Sequence, residues 1–168
     1  MGATTPEKGY VGVLKDRLSL SLINKAVSGE TTSGTLLHAA SDLAEIKPNI
    51  VMILLGGNDL LSRTPTTETF ANLRKLIDLA HEGGAVVLLV GFQKRTDDNY
   101  ANGFALLAKS SGTVYVADVL GNIIGDPLLM ADEIHPNDKG YLKMADKIAP
   151  DLEGLVLSGA AAGKPAHD

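Results

Sequence analysis

Short, uninterrupted apolar runs alternate along the chain with longer stretches in which apolar residues recur at helical spacing. Two of the runs, Ile50–Leu55 and Ala85–Val90, are closed by glycine, and a shorter predicted strand, Thr113–Ala117, is closed by aspartate. Continuous runs of this length predict strands of a parallel sheet, and the first is expected to be buried on both faces. A fourth stretch, Leu20–Val27, begins with alternating leucine and serine and predicts a further strand.

The stretches between these runs predict helices. Their bounds are residues 10–18, 34–46, 65–83, 99–111 and 138–157. Thr32 or Ser33 is expected to cap the second helix, whose inner face should contain Leu36, Leu37, Ala40, Leu43 and Ala44. Pro150 is expected to kink or interrupt the last helix. Strands alternating with helices predict one α/β domain over residues 1–157, followed by a disordered tail at 158–168.

Composition and charge narrow the range of partners. The 168 residues include 45% hydrophobic and 21% charged side chains, which is typical of a soluble globular protein. The net charge of −5 argues against nucleic acid or an anionic membrane as a partner. Cysteine is absent, which excludes disulfides, thiolate metal ligands and a cysteine nucleophile. No apolar run reaches the roughly 18 residues of a membrane span.

Polar residues follow two of the predicted strands. Gly57-Asn58-Asp59 comes directly after the central strand, and Gly29 follows the strand that ends at Val27. Ligand sites of parallel sheets lie beyond the carboxyl ends of the strands. The Asn58 amide is a donor suited to a developing oxyanion, and a glycine presents its backbone N–H without a side chain in the way. The alternative is that both segments are simple turns.

A second chemical signal is the sequence Asp132-x-x-His135 before the last predicted helix. Histidine transfers protons near neutral pH, and a carboxylate three residues earlier can hold its ring in one tautomer. The alternatives are a pair of metal ligands or a surface histidine in a turn. His38 and His81 fall in predicted helices and are interpreted as structural, while His167 lies in the tail.

Three sequence blocks together resemble the SGNH (GDSL-type) hydrolase family, in its branch of esterases, arylesterases and lysophospholipase/thioesterases. Residues 26–32, 55–59 and 132–137 resemble the second, third and fifth blocks of that family, in order and properly spaced. The resemblance extends from about Thr5 to Val156. It implies a three-layer, flavodoxin-like fold and hydrolysis of small carboxylic ester or thioester substrates through an acyl-serine intermediate, without metal or cofactor.

By the same resemblance, the Gly29 N–H and the Asn58 side chain are oxyanion-hole donors. His135 is the general base and acid, and Asp132 orients it. These groups are expected to surround one cavity at the carboxyl edge of the sheet.

The first block of the family, a strand that ends in Gly-Asp-Ser and supplies the nucleophile, has no counterpart in this sequence. Residues 2–10 resemble the family's segment directly after that block. Ser28, Ser62 and Ser158 are poor substitutes, because none is expected at a tight strand-to-helix elbow. The nucleophile is therefore unassigned, and the chain as given is expected to be inactive. The alternative function is a non-catalytic relative that binds an acyl or acetylated ligand.

The absent strand has a structural consequence. In a flavodoxin-like sheet the first strand lies between the second and third. Residues 20–27 and 50–55 should then face a gap of about 9–10 Å, two strand spacings. We expect either that the sequence is a truncated form of a longer enzyme or that a second chain fills the slot by strand exchange. The compartment stays open, and would be periplasmic or extracellular if a preceding segment carried a signal peptide.

A flavodoxin-like nucleotide binder is a weaker alternative. The turns at Gly29 and Gly57 contain neither a phosphate-binding loop nor a Gly-x-Gly-x-x-Gly motif, and both place carboxylates where phosphates would lie.

Overall fold

A three-stranded parallel sheet organises the fold. The computed structural model describes residues 2–93 and 98–159. Strands β1 (Ile50–Ile53), β2 (Val86–Val90) and β3 (Val114–Val116) lie in the order β1-β2-β3. Met52 is aligned with Leu88 across the first pair, and Leu88 with Val114 across the second. The predicted α/β class and parallel sheet are confirmed.

Six α-helices accompany the strands in the described part of the chain. They are α1 (Tyr10–Leu18), α2 (Thr32–Ile46), α3 (Gly57–Leu61), α4 (Thr66–Glu82), α5 (Asp98–Ser111) and α6 (Asp138–Leu157), and a 3₁₀ turn covers Pro6–Lys8. Helix α6 packs against β2, β3 and α1, while α4 and α5 pack on the sheet and on each other, and α2 packs on α4. The core is centred on β2, where residues 87–90 have no exposed surface.

The predicted strand at Leu20–Val27 is wrong, because residues 20–27 form no strand. A strand is stabilised by ladder hydrogen bonds to a neighbour, and none of the described residues pairs with this segment. Its backbone hydrogen bonds are local: the Leu22 N–H donates to the Leu20 carbonyl oxygen, and the Ala26 N–H donates to the Asn24 side chain. Lys25 connects the segment to α2 through an ion pair with Asp42, at 2.8 Å.

Strand β1 lies at the edge of the described sheet. It pairs with β2 on one side and with no described strand on the other. Burial on both faces, expected for this strand, is therefore wrong: Ile53 is buried, but Ile50, Val51 and Met52 are only half-buried. Residues 20–27 do not pair directly with β1.

Helix α2 differs from its prediction in start and in orientation. Its N-cap is Thr31, whose side chain accepts a hydrogen bond from the Gly34 N–H. Ala39 is buried, whereas Leu37, which was expected to face inward, is 89% exposed. Ala40 and Ala44, also expected to face inward, are exposed as well. Because α4 is its main helical neighbour, only one narrow side of α2 is covered.

Helix α6 continues through Pro150, so an interruption there is wrong, while a kink at this residue stays a prediction. Proline removes the N–H that would bond to the carbonyl of Asp146. Both residues are exposed, and water can therefore satisfy that carbonyl. Of the predicted tail, residues 158–159 form a turn and residues 160–168 lie outside the described residues.

Candidate active site

Asn58 lies in the first turn of α3, directly after β1. Its side-chain Nδ2 donates a hydrogen bond of 2.9 Å to the backbone carbonyl of Glu30. An amide nitrogen carries two protons, so one remains for another acceptor. The structure therefore brings Asn58 together with Glu30, the residue directly after Gly29.

Gly29 forms the exposed turn before α2. Its φ of 81° lies in the left-handed region, which favours glycine. A Cβ atom at this position would meet nothing within 4 Å. Among the described residues the Gly29 N–H has no hydrogen-bond acceptor, so this donor is available to a ligand.

The buried side chain of Asp59 connects the Asn58 segment to the start of α2, a role that the sequence did not reveal. One carboxylate oxygen accepts the Thr32 N–H at 2.9 Å, and the other accepts the Thr32 hydroxyl. The Thr32 hydroxyl in turn accepts a bond from the Asn72 side chain. Asp59 and Thr32 are 1% and 0% exposed. The one sequence signal for this role is the acidic residue directly after Asn58. This signal is not specific, because a simple turn shows the same pattern.

Asp132 and His135 form the second cluster. The carboxylate Oδ1 of Asp132 accepts the backbone N–H groups of Ile134 and His135, at 2.9 and 2.8 Å. Its Oδ2 lies 2.8 Å from the His135 Nδ1. These bonds, with the Ile134 N–H as the largest influence, lower the pKa of Asp132 to about 2. A carboxylate that stays ionised keeps the proton of neutral His135 on Nδ1, which leaves Nε2 as the basic nitrogen.

The amino-terminal segment lies directly against this histidine. A Cβ on Gly2 would overlap the Pro136 carbonyl oxygen and lie 3.1 Å from the His135 Cβ, so the close approach requires glycine. Farther along, Thr4 donates to the Asp138 carboxylate through its N–H and its hydroxyl, both at 2.8 Å. Residues 2–4 are thus held at the start of α6, beside His135.

The two clusters follow different strands: Asn58 comes after β1, and His135 comes in the loop between β3 and α6. In the described part of the chain no hydrogen bond joins them. Two surface pockets elsewhere, one near Asp118 and one between α4 and α5, contain none of the four predicted site residues. Convergence on one cavity stays a prediction.

No potential nucleophile contacts His135 in the described structure. Within residues 2–93 and 98–159, the Nε2 atom makes no hydrogen bond, and the hydroxyls of Ser28, Ser62 and Ser158 do not reach it. Those residues also contain no group of three or more His, Asp or Glu side chains able to hold a metal ion. None of the helices they form is long and apolar enough to cross a membrane.

Comparison with known proteins matches residues 1–143 to the GDSL-like lipase/acylhydrolase family. The chain belongs to this family. Esterase TesA of Pseudomonas aeruginosa is 30% identical over 161 residues, covering 89% of this chain and 80% of that protein. The arylesterase of Vibrio mimicus is 28% identical over 158 residues, covering 87% and 79%.

The fold of this GDSL-family chain resembles solved esterase structures. A crystal structure of TesA superposes with a TM-score of 0.85 at 30% identity, covering 90% of this chain and 91% of that one. The psychrotrophic esterase EstA from a Pseudoalteromonas species gives a TM-score of 0.81 at 25% identity, with 90% and 89% covered. The family resemblance drawn from the three sequence blocks is therefore confirmed.

Proposed function

We propose that this chain carries the acid–base and oxyanion-binding machinery of a carboxylic ester hydrolase that acts on small acyl substrates. His135 is the general base and acid, Asp132 orients it, and Gly29 and Asn58 bind the oxyanion. The relatives named above are an esterase and an arylesterase. The observation that carries the proposal is the Asp132–His135 pair, in which three hydrogen bonds hold the carboxylate and Nε2 is left without a partner among the described residues.

The proposed chemistry requires a serine hydroxyl next to His135 Nε2. The hydroxyl oxygen attacks the ester carbonyl carbon while Nε2 takes its proton. The carbonyl oxygen becomes an oxyanion, to which the free Gly29 N–H and the second Asn58 Nδ2 proton donate. Collapse of the intermediate expels the alcohol, which receives the proton from Nε2. Water then repeats the sequence on the acyl-serine and releases the carboxylic acid.

The decisive experiment supplies the serine. An apolar strand ending in Gly-Asp-Ser, placed ahead of Gly2, would end beside His135, since Gly2 lies against that residue. We expect this extended chain to hydrolyse an activated short-chain aryl ester. The matched control carries Gly-Asp-Ala in place of Gly-Asp-Ser. Equal turnover by the two extended chains would contradict the serine mechanism.

The 168-residue chain provides the second measurement. It should hydrolyse the same ester no faster than its own His135→Ala variant, because a base without a nucleophile only activates water and triad members act as a unit. Strong activity that survives His135→Ala would place the chemistry elsewhere.

A non-catalytic role in binding an acyl or acetylated ligand is the second candidate. The observation that favours it is that the Gly29 N–H and one Asn58 Nδ2 proton have no acceptor among the described residues, since these two donors can bind an acyl carboxylate without a nucleophile. It predicts that the extended Gly-Asp-Ser chain stays inactive although an acyl ligand binds, which equilibrium dialysis with a short-chain fatty acid measures.

A further inference from the structure

His38 of α2 lies between two carboxylates, that of Glu30 in the turn before the helix and that of Asp42 one helical turn later. Its Nε2 is 2.9 Å from Glu30 Oε1, and its Nδ1 is 2.7 Å from Asp42 Oδ2. All three side chains are partly buried, at 35%, 16% and 21% exposed. Glu30 is the residue directly after Gly29. From its position in a predicted helix, His38 was interpreted as structural. Through Glu30 it is connected to the turn of the proposed oxyanion site.

The protonation state follows from the number of donors. An ionised carboxylate only accepts hydrogen bonds, and a neutral imidazole has one N–H. Two carboxylates on the two ring nitrogens therefore require the imidazolium form. In agreement, the hydrogen bonds to Asp42 and then to Glu30 raise the pKa of His38 above its ordinary value of 6.5.

The two carboxylates depend on His38 to different degrees. Asp42 also pairs with Lys25 at 2.8 Å, and Glu45 adds a further negative charge near that lysine. Among the described residues Glu30 has no cationic partner besides His38. When the imidazolium loses a proton, one N–H remains for the two carboxylates. Asp42 then keeps Lys25 as a cationic partner, whereas Glu30 has no cationic partner left among the described residues.

Glu30 transmits this change to the site through its backbone. Its carbonyl oxygen accepts the Asn58 Nδ2 proton at 2.9 Å, and its peptide nitrogen is bonded to Gly29. We propose that His38 is a positioning residue of the oxyanion site: its imidazolium holds Glu30 and thereby the Gly29–Glu30 turn and the Asn58 amide. The assignment of Gly29 and Asn58 as oxyanion donors rests on the proposed function, but the mechanical link from His38 to these groups does not.

The pH dependence has a definite sign. The folded pKa of His38 is raised, so the stabilisation from the bridge is fully present below the unfolded value of about 6.5. It is lost as the pH rises through the folded value. The turn is thus held below a pH of about 6.5 and released as the pH rises through the raised pKa of His38.

Nuclear magnetic resonance on the 168-residue chain tests the link without any catalytic assay. The ring signals of His38, the backbone amide of Gly29 and the side-chain amide of Asn58 are followed from pH 5 to pH 9 (about two units on either side of neutrality). We expect all three to titrate with one midpoint above 6.5.

Three variants separate the link from other causes. His38→Arg keeps a cation at every pH, so the Gly29 and Asn58 signals should stay at their low-pH positions across the titration. Glu30→Gln removes the carboxylate that the imidazolium holds, so the midpoint of His38 should move down and the titration steps of Gly29 and Asn58 should shrink. His81→Gln, at an exposed position of α4, is the matched control and should leave the titration unchanged.

The proposal is overturned if His38 titrates while Asn58 and Gly29 do not follow, if their titration steps persist in His38→Arg, or if those steps keep their full size in Glu30→Gln. Failure of the ester hydrolase proposal appears elsewhere, as an inactive Gly-Asp-Ser extension, and the two failures are therefore distinguishable.

Discussion

Replacing Asp59 by alanine should disconnect the two segments that carry the proposed oxyanion donors. The carboxylate accepts two buried donors, the N–H and the hydroxyl of Thr32. A buried donor left without an acceptor costs about 1–3 kcal/mol, so the loss of both predicts a decrease of about 2–6 kcal/mol in the free energy of unfolding. Asp59→Asn retains one acceptor oxygen and should cost about half as much.

Urea unfolding followed by circular dichroism measures the effect, with an unchanged m-value as evidence that only stability differs. The matched control is Asp151→Ala, at an exposed position of α6, which should change stability by less than about 0.5 kcal/mol. A double-mutant cycle with Thr32→Val isolates the pairwise term, and we expect a coupling of about 1–3 kcal/mol.

Equal stability losses in Asp59→Ala and Asp151→Ala would refute the reasoning, and so would additive effects of Asp59→Ala and Thr32→Val. Either result would mean that the buried hydrogen bonds do not hold the Asn58 segment to α2.

The remaining predictions concern the four proposed site residues. In the extended Gly-Asp-Ser chain, Asn58→Ala should lower kcat by about 10²–10³, which corresponds to roughly 3–4 kcal/mol of transition-state stabilisation. Steady-state kinetics should show a larger loss of kcat for His135→Ala. The loss for Asp132→Ala should be smaller, because Asp132 orients the histidine and does not itself transfer a proton. Gly29→Ala places a Cβ at a φ of 81° and should cost about 1–2 kcal/mol in urea unfolding; no loss would contradict that turn geometry. Because the pKa of Asp132 is lowered from 3.8 to about 2, the stability that its carboxylate contributes is present above pH 3.8 and is lost as the pH falls through 2. The stability of Asp132→Asn, measured by acid unfolding, should therefore depend less on pH in that window. An unchanged profile would contradict the hydrogen bonds assigned to this carboxylate.

The sequence by itself determined the secondary-structure elements and contacts that depend on neighbouring residues or on an unambiguous hydrophobic pattern. The runs at β1, β2 and β3 were predicted because uninterrupted apolar residues of that length, closed by turn residues, fit a buried parallel strand. The contact between Asp132 and His135 was also predictable, since three residues of chain bring the two side chains within reach.

Tertiary structure decided the features that depend on distant partners. Residues 20–27 have strand-like side chains but form no strand, because strand structure requires hydrogen bonds to a paired neighbour and this segment pairs with no described strand, including the open edge of β1. The inward side of α2 was likewise set by its packing on α4, which left Leu37 exposed.

Two long-range hydrogen bonds of the site were also not predictable from the sequence. Asp59 meets Thr32 across 27 residues of chain, and Asn58 meets the Glu30 carbonyl across 28. Hydrogen bonds between such separated residues carry no local signature, because the spacing that joins them is created by the folded sheet and its helices. The sequence therefore determined which groups are chemically able to act, and the fold determined which of them are held together.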